Sequence, residues 1–316
     1  MQGRYDLSQE LLQAVSLACN RMPTDCVLLS GGVDSSLLAA IHLRPAITVI
    51  LKGSDAPDAH FSQLIAERLK VPWLLIEVSP IEAVKSLCWL MSLRNSFDRG
   101  LFNEIPVYWA VNAARARGWR RIVSGEGAEL LFAGYDFMVE AGPRFREYRA
   151  AVLRQTRHAE TDLAHKMAAE MIYPYLAPEV VAVAERTDLD DCIFEYAPGQ
   201  YLTKVPLRMA ARRYLPDSVA WRARADLERG SGFDQLGPAA VDFADAFEPP
   251  AVPSHFYWDG THRALHRIFA GIGLTVPIPQ INMYSCQWCN GGVAENKRHC
   301  PTCGAFPADR APSHPA

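Results

Sequence analysis

Through the first 130 residues, short apolar runs alternate with stretches whose apolar residues recur three and four positions apart. Residues 27–29, 47–51, 74–78 and 121–123 read as strands, and the segments between them as helices. That alternation predicts βαβ units and a parallel sheet. Ahead of them, Leu7, Leu11, Leu12, Val15 and Ala18 mark an amphipathic N-terminal helix that carries Asp6 and Glu10, unlike a basic-then-apolar leader. From about residue 144 to 226 the period is helical, with arginine-rich faces and no further strand, which predicts a helical layer closing over the sheet. A solvated helix face accounts for Arg144, Arg146, Arg149, Arg154 and Arg157, with a docking surface for an anionic partner as the alternative. Residues 237–280 turn rich in proline and aromatics (Pro249, Pro250, Pro253, Phe256, Tyr257, Trp258, Pro277, Pro279) and read as linker and packing segment. There is no internal repeat, and Ala311 to Ala316 read as a frayed tail.

Composition narrows the class. With 316 residues, 49% hydrophobic and 21% charged, the chain can bury one large core or two smaller ones. A net charge of −3 gives no whole-molecule pull toward nucleic acid or a membrane, and no apolar run approaches a membrane span. A cytoplasmic location is expected.

Chemistry enters where the first strand ends, at Leu28-Leu29-Ser30-Gly31-Gly32-Val33-Asp34-Ser35-Ser36. A glycine turn between a strand and a helix offers unpaired backbone N–H groups and the positive end of a helix dipole, and residues without side chains let phosphate oxygens come close. Ser30, Gly31, Gly32, Ser35 and Ser36 are therefore candidate phosphate contacts, and Asp34 a candidate Mg²⁺ ligand between phosphates. The spacing lacks the Gly-Lys-Ser/Thr ending of the common P-loop and the three glycines of the dinucleotide fingerprint. A different nucleotide loop is implied.

A second module stands at the far end. Cys286-Gln287-Trp288-Cys289 and Cys300-Pro301-Thr302-Cys303 are ten residues apart, a zinc-ribbon spacing in which each Cys-x-x-Cys turn presents two thiolates to one tetrahedral Zn²⁺. Gly291 and Gly304 follow the pairs where a knuckle needs freedom in φ. Disulfides are the alternative; Cys19, Cys26, Cys88 and Cys192 are scattered and read as core residues. Lys297, Arg298 and His299 at the ribbon tip read as solvated, with nucleic-acid contact as the alternative.

Ser-Gly-Gly-x-Asp-Ser-Ser, together with Ser124-Gly125-Glu126-Gly127-Ala128-Glu129-Leu130-Leu131-Phe132-Ala133-Gly134-Tyr135, resembles the synthetase domain of asparagine synthetases and β-lactam synthetases, within the ATP pyrophosphatase superfamily. Tyr173-Pro174-Tyr175-Leu176 and Tyr201-Leu202-Thr203-Lys204 running into Leu207-Arg208 are similar to further segments of that family, so the likeness covers about residues 8–235. It implies an α/β fold, with an adenine-nucleotide α-hydrolase-like parallel sheet flanked by helices, followed by a helical layer and the small C-terminal zinc ribbon. It also implies ATP and Mg²⁺ as cofactors, activation of a carboxylate as its acyl-adenylate, and attack by a nitrogen nucleophile. Lys204 becomes a catalytic lysine beside the pyrophosphate. Glu126 becomes the general base, and Glu129 a second metal ligand. Leu28, a residue near Val49 or Ile50, Ser124 and Gly125 border the adenosine.

Departures from the family pattern carry their own implications. The family's Asp-Glu after Gly-Ala is Glu129-Leu130 here, which moves the metal, and Arg229-Gly230-Ser231-Gly232-Phe233 keeps only part of a basic stretch that bears on the acid substrate. Gln2 stands where glutamine-using relatives carry a cysteine, so ammonia, a substrate amine or a partner glutaminase is the expected nitrogen source. The carboxylate can be a small molecule or carrier-bound, and the ribbon can contact protein or RNA. Two other readings stay open: a tRNA-modifying, thiolase-like relative, since such enzymes also combine this loop with Cys-x-x-Cys modules, and an impaired homologue acting as a binding module. The expected organisation is a synthetase-like domain over 1–235, linker and packing segment over 236–280, ribbon over 281–307 and tail over 308–316.

Overall fold

The computed structural model describes residues 2–155, 158–223, 225–251 and 257–310. Arg157, Pro253, Phe256 and the tail residues Ala311 to Ala316 lie outside them. At the centre is a five-stranded parallel sheet: β1 Cys26–Leu28, β2 Ala46–Leu51, β3 Trp73–Val78, β4 Arg121–Val123 and β5 Glu170–Ile172, in the order β3-β2-β1-β4-β5. Cys26, Val27, Ala46, Ile47, Ile122 and Val123 are all buried, as expected of strands covered on both faces. Val27 pairs with Ala46 on one side and Val123 on the other, so β1 lies in the middle and Ser30 leaves the sheet where β4 delivers Ser124.

Helices α1 Gln2–Arg21, α2 Val33–His42, α3 Pro57–Leu69, α4 Pro80–Arg94 and α5 Glu104–Ala116 follow the predicted alternation. Leu11, Val15 and Ala18 of α1 are fully buried, which identifies the core face of that helix. α4 starts with a capping box, Ser79 and Glu82 each satisfying the other's backbone N–H, and a proline at its first position. None of the described helices is long and apolar enough to cross a membrane.

Two differences from the sequence expectation stand out. The region after residue 144 holds strands as well as helices: β5 joins the sheet through Arg121–Glu170, Ile122–Met171 and Val123–Ile172 pairs, and β6 Phe194–Ala197 with β7 Gln200–Leu202 forms a separate antiparallel hairpin. Strands of three and four residues are too short to display a period against helical neighbours. Arg149, expected on a solvated face, is instead buried. Its guanidinium donates to Leu131 O (3.2 Å), Thr187 Oγ1 (2.8 Å) and Thr187 O (3.2 Å) and lies 4.8 Å from the Phe145 ring centroid. Arg144 and Arg146 of the same group are exposed, and Arg146 pairs with Asp188 at 2.6 Å.

The chain forms two compact units. The first comprises Met1–Val49, Ala56–Ile76 and Ala110–Gly230; the second comprises Ile50–Asp55, Glu77–Trp109 and Ser231–Ala316. In the second, the stretch expected as linker carries the helices Gly237–Ala244 and Gly260–Gly271, and Met283–Ser285 pairs antiparallel with Gly292–Ala294 as β8 and β9.

Candidate active site

In the first unit, the turn after β1 is shaped by its neighbours as much as by its own residues. Gly31 has φ +71°, and a Cβ there would lie 2.4 Å from Phe61 Cβ and 2.7 Å from Ser62 N on α3; only glycine fits. Gly32 is the N-cap of α2. Ser35 closes the loop from inside: its Oγ accepts from Ser30 N (3.1 Å) and contacts Ser30 Oγ (3.0 Å), while Gly32 N donates to Ser30 Oγ (3.3 Å). Ser36 Oγ is buried without a hydrogen-bond partner.

Asp34, in the first turn of α2, meets Lys204 from 170 residues downstream: Nζ to Oδ2 is 2.6 Å, and the same Nζ is 3.5 Å from Glu129 Oε1. The Lys204 side chain is 4% exposed. Its backbone sits in the left-handed region (φ 57°) with its N–H on Phe132 O at 3.1 Å, so the glycine-flanked second motif aims this lysine at the first. A left-handed non-glycine residue costs on the order of 1–3 kcal/mol and persists where surrounding structure imposes it. Asp34 Oδ1 is buried and has no hydrogen-bond partner. Burial raises the Asp34 carboxyl above its ordinary range, the Lys204 ammonium opposes, and Glu129 adds to the rise. Two carboxylates on one ammonium, with one carboxylate oxygen left over, form a hard-oxygen donor set that suits Mg²⁺.

The loop after β4 is tied to the sheet by Ser124 N donating to Ile172 O at 3.0 Å. A Cβ on Gly125 would come within 3.2 Å of Asp34 Cβ, so the two motif loops pass each other at backbone contact. Gly127 takes φ +96° against Leu176. Glu126, between these glycines, is hydrogen-bonded through Oε1 to His158 Nδ1 at 3.1 Å. Burial raises the Glu126 carboxyl, His158 pulls it down, and Glu129 and Asp34 push it up. Glu126, Glu129, Asp34 and Lys204 thus form one electrostatic group, with Ser30, Gly31, Gly32, Ser35, Ser124 and Gly125 around it. Leu28 and Val49 lie along the neighbouring strands β1 and β2.

Sequence reasoning missed several supporting residues. Arg222 donates to Ser30 O (3.0 Å) and Asp58 Oδ1 (2.9 Å) and lies 4.1 Å from the Phe61 ring centroid, latching the turn to α3. Both partners are buried, and burial pushes the Asp58 carboxyl up to about 6 although Arg222 opposes it. Tyr175 OH donates to Asp34 O (2.8 Å), and buried Arg208 donates to Thr203 O, Ala220 O and Arg222 O at 2.7–2.9 Å, tying the backbone just before Lys204 to the 220–222 segment. Asp58 and Arg222 are 164 residues apart, and nothing local marks either one.

In the second unit, Cys286, Cys289, Cys300 and Cys303 are all buried free thiols whose sulfurs lie within 4.8 Å of one another. Trp288 N and Gly291 N donate to Cys286 and Cys289 sulfurs at 3.4 Å, as in a knuckle that carries thiolates. The four soft ligands fit a tetrahedral Zn²⁺. Gly304 has φ +81°, as expected. At the first knuckle Asn290 (φ 58°) takes the left-handed position instead, and Gly291 is needed for space, since a Cβ would sit 3.1 Å from Cys289 Sγ. The tip residues Lys297, Arg298 and His299 are exposed, as expected; His299 also pairs with Asp98 at 3.1 Å and Arg298 lies 5.3 Å from the Phe306 ring centroid. Ala308, assigned to the tail, is buried and hydrogen-bonded to Gln287 and Arg298.

Comparison with known proteins adds lineage to this geometry. The asparagine synthase family matches residues 6–170 and 151–262. A probable glutamine-hydrolyzing asparagine synthetase from Dictyostelium discoideum is 27% identical over 252 residues, covering 69% of this chain and 45% of that protein. Asparagine synthetase B of Escherichia coli (strain K12) is 26% identical over 237 residues, covering 66% and 42%. The chain therefore spans less than half the length of these curated relatives. Among solved structures, an NMN synthetase from Francisella tularensis aligns over 88% of this chain and 98% of its own, with a TM-score of 0.38 and 14% identity.

Proposed function

The chain belongs to the asparagine synthase family of ATP-dependent ligases, and from that premise we propose that it forms AMP and pyrophosphate while joining ammonia or an amine to a carboxylate. The observation that carries this reading is the meeting of the two motifs at Lys204, whose Nζ lies between Asp34 and Glu129 beside the glycine turn. The backbone at Gly31 and Gly32 and the hydroxyls of Ser30, Ser35 and Ser36 bind phosphate, with Leu28, Val49, Ser124 and Gly125 along the adenosine. Asp34 and Glu129 would hold Mg²⁺, which would supply charge neutralisation for the phosphates. A substrate carboxylate oxygen attacks the α-phosphorus, pyrophosphate departs, and Lys204 stabilises the charge that develops on it. The nitrogen nucleophile then attacks the acyl carbon, Glu126 takes its proton, and AMP leaves with the electrons of the broken C–O bond. We place this chemistry in the 1–235 region and in the cytoplasm, with a structural zinc ribbon at 281–307 offering a surface to protein or RNA.

The deciding measurement is product analysis by mass spectrometry with ATP, Mg²⁺, aspartate and ammonium, each omitted in turn. AMP and pyrophosphate that require a carboxylate, together with the amide, are the expected products. ATP bound but never cleaved with a panel of free carboxylates would overturn the reading for small acids, and AMP formation that requires tRNA would replace it with base modification, the alternative that the four-thiol cluster favours.

A further inference from the structure

We propose that His158 is a positioning residue for Glu126, its ring nitrogen holding the Glu126 carboxylate aimed and ready to accept the nucleophile's proton, so that nitrogen transfer depends on it more than adenylation does. The inference rests on the functional reading above and adds a residue that lies outside both motifs. His158 Nδ1 and Glu126 Oε1 are 3.1 Å apart, with side chains 17% and 32% exposed, so the contact is partly shielded from water. The imidazole is itself held: the Tyr173 ring lies 5.1 Å away, centroid to centroid, and Tyr173 OH is fixed on Thr161 Oγ1 at 2.9 Å.

The need for such a partner follows from what surrounds Glu126. Glu129 and Asp34 are its acidic neighbours, Lys204 is shared between those two, and Tyr173 interacts with Glu126 and also with Glu160 and Asp162. Burial raises the Glu126 carboxyl above its ordinary range, away from the ionised form that a base must have. Lys204 is directed at Asp34 and Glu129, which leaves His158 as the side-chain donor that Glu126 contacts among the described residues. With Nδ1–H donating to the carboxylate, the ionised form is favoured and one oxygen is fixed while the other stays available for the proton of the attacking nitrogen.

The test uses the full chain with His158→Phe, which removes the donor, and His158→Asn, which returns an N–H near the Nδ1 position. Two readouts are compared. The first is amide formation from aspartate and ammonium against ATP–pyrophosphate exchange. The second is titration of the Glu126 carboxyl by ¹³C NMR with labelled glutamate, assigned through Glu126→Gln and run with and without Mg²⁺. In His158→Phe, amide formation falls about ten- to hundredfold more than exchange, and the Glu126 midpoint moves to higher pH. His158→Asn recovers a good part of both. An unmoved midpoint, or exchange falling as far as amide formation, overturns the proposal. If the wild type catalyses neither exchange nor amide formation with these substrates, the functional reading fails for this acid, while the titration still decides whether His158 governs Glu126.

Discussion

The glycine turn after β1 and the thiol cluster of the second unit are both small loops fixed by a few backbone hydrogen bonds, yet different things stand behind them. Behind the turn are the buried Leu29, Leu37, Leu38 and Val123, the Phe61 contact that admits only glycine at position 31, and the Arg222–Asp58 ion pair. Behind the thiols are two three-residue strands, a few small buried residues, Val293, Ala305 and Ala308, and the bonds from Phe97 N and Ser96 Oγ to Thr302 O, with Ile278, Ile281 and Phe306 left largely exposed. Hydrocarbon and a buried ion pair preorganise the first region. The second has little core of its own, so its shape is expected to depend on a metal of the kind its four sulfurs fit.

The largest expected effect follows from that contrast. Replacing Cys300 and Cys303 by serine is expected to abolish binding of the zinc proposed for this cluster, and such binding supplies on the order of 10–16 kcal/mol to small zinc modules. Metal analysis then finds no zinc, and limited proteolysis cleaves the unfolded ribbon. A metal content equal to wild type would end the zinc assignment, and a parallel loss of ATP affinity would show the two regions to be energetically one.

Breaking the latch on the other side comes next. Arg222→Met leaves Asp58 buried without its cation and removes the donor to Ser30 O, a loss of about 3–5 kcal/mol in stability for a broken buried pair. Denaturant unfolding measures it, and calorimetric ATP binding weakens with it. A fully stable variant with unchanged ATP affinity would reduce Arg222 to packing.

A smaller effect separates burial from pairing. Because the folded Asp58 carboxyl is pushed from 3.8 up to about 6, the folded state holds that proton more tightly than the unfolded chain between those values. This contribution is therefore full below about pH 4 and is lost as pH rises through 6. In Asp58→Asn the loss is absent, so the variant gains on the wild type by on the order of 2–3 kcal/mol between pH 4 and 7.5. Parallel stability curves for the two proteins would place Asp58 in a wetter setting than its burial indicates. The smallest effect is His299→Gln at the half-exposed pair with Asp98, under about 1 kcal/mol by thermal unfolding. A larger loss would mean that the ribbon leans on this pair rather than on metal.

Much of the site was legible in the sequence because its chemistry is local. Ser30 to Ser36 supplies its glycines, hydroxyls and carboxylate within seven residues, and each Cys-x-x-Cys sets two ligands on one turn. β5, Arg149, His158 and the Asp58–Arg222 pair were not legible. β5 is defined by its neighbour β4, the buried arginine looks like any surface arginine until carbonyls surround it, and the latch joins residues 164 positions apart.

What the sequence determined by itself is the inventory and its local geometry: alternating apolar periods that specify a parallel sheet, a strand-to-helix glycine turn, and two thiol knuckles. Only the tertiary structure decided that Lys204 reaches Asp34 and Glu129, that Glu126 meets His158, and that Gly31 must be glycine because Phe61 stands 2.4 Å from where its Cβ would be. The physical reason is range. Hydrogen bonding along the backbone and side-chain periodicity act over a few residues, whereas burial, desolvation and charge pairing depend on which distant segments the packed core brings together.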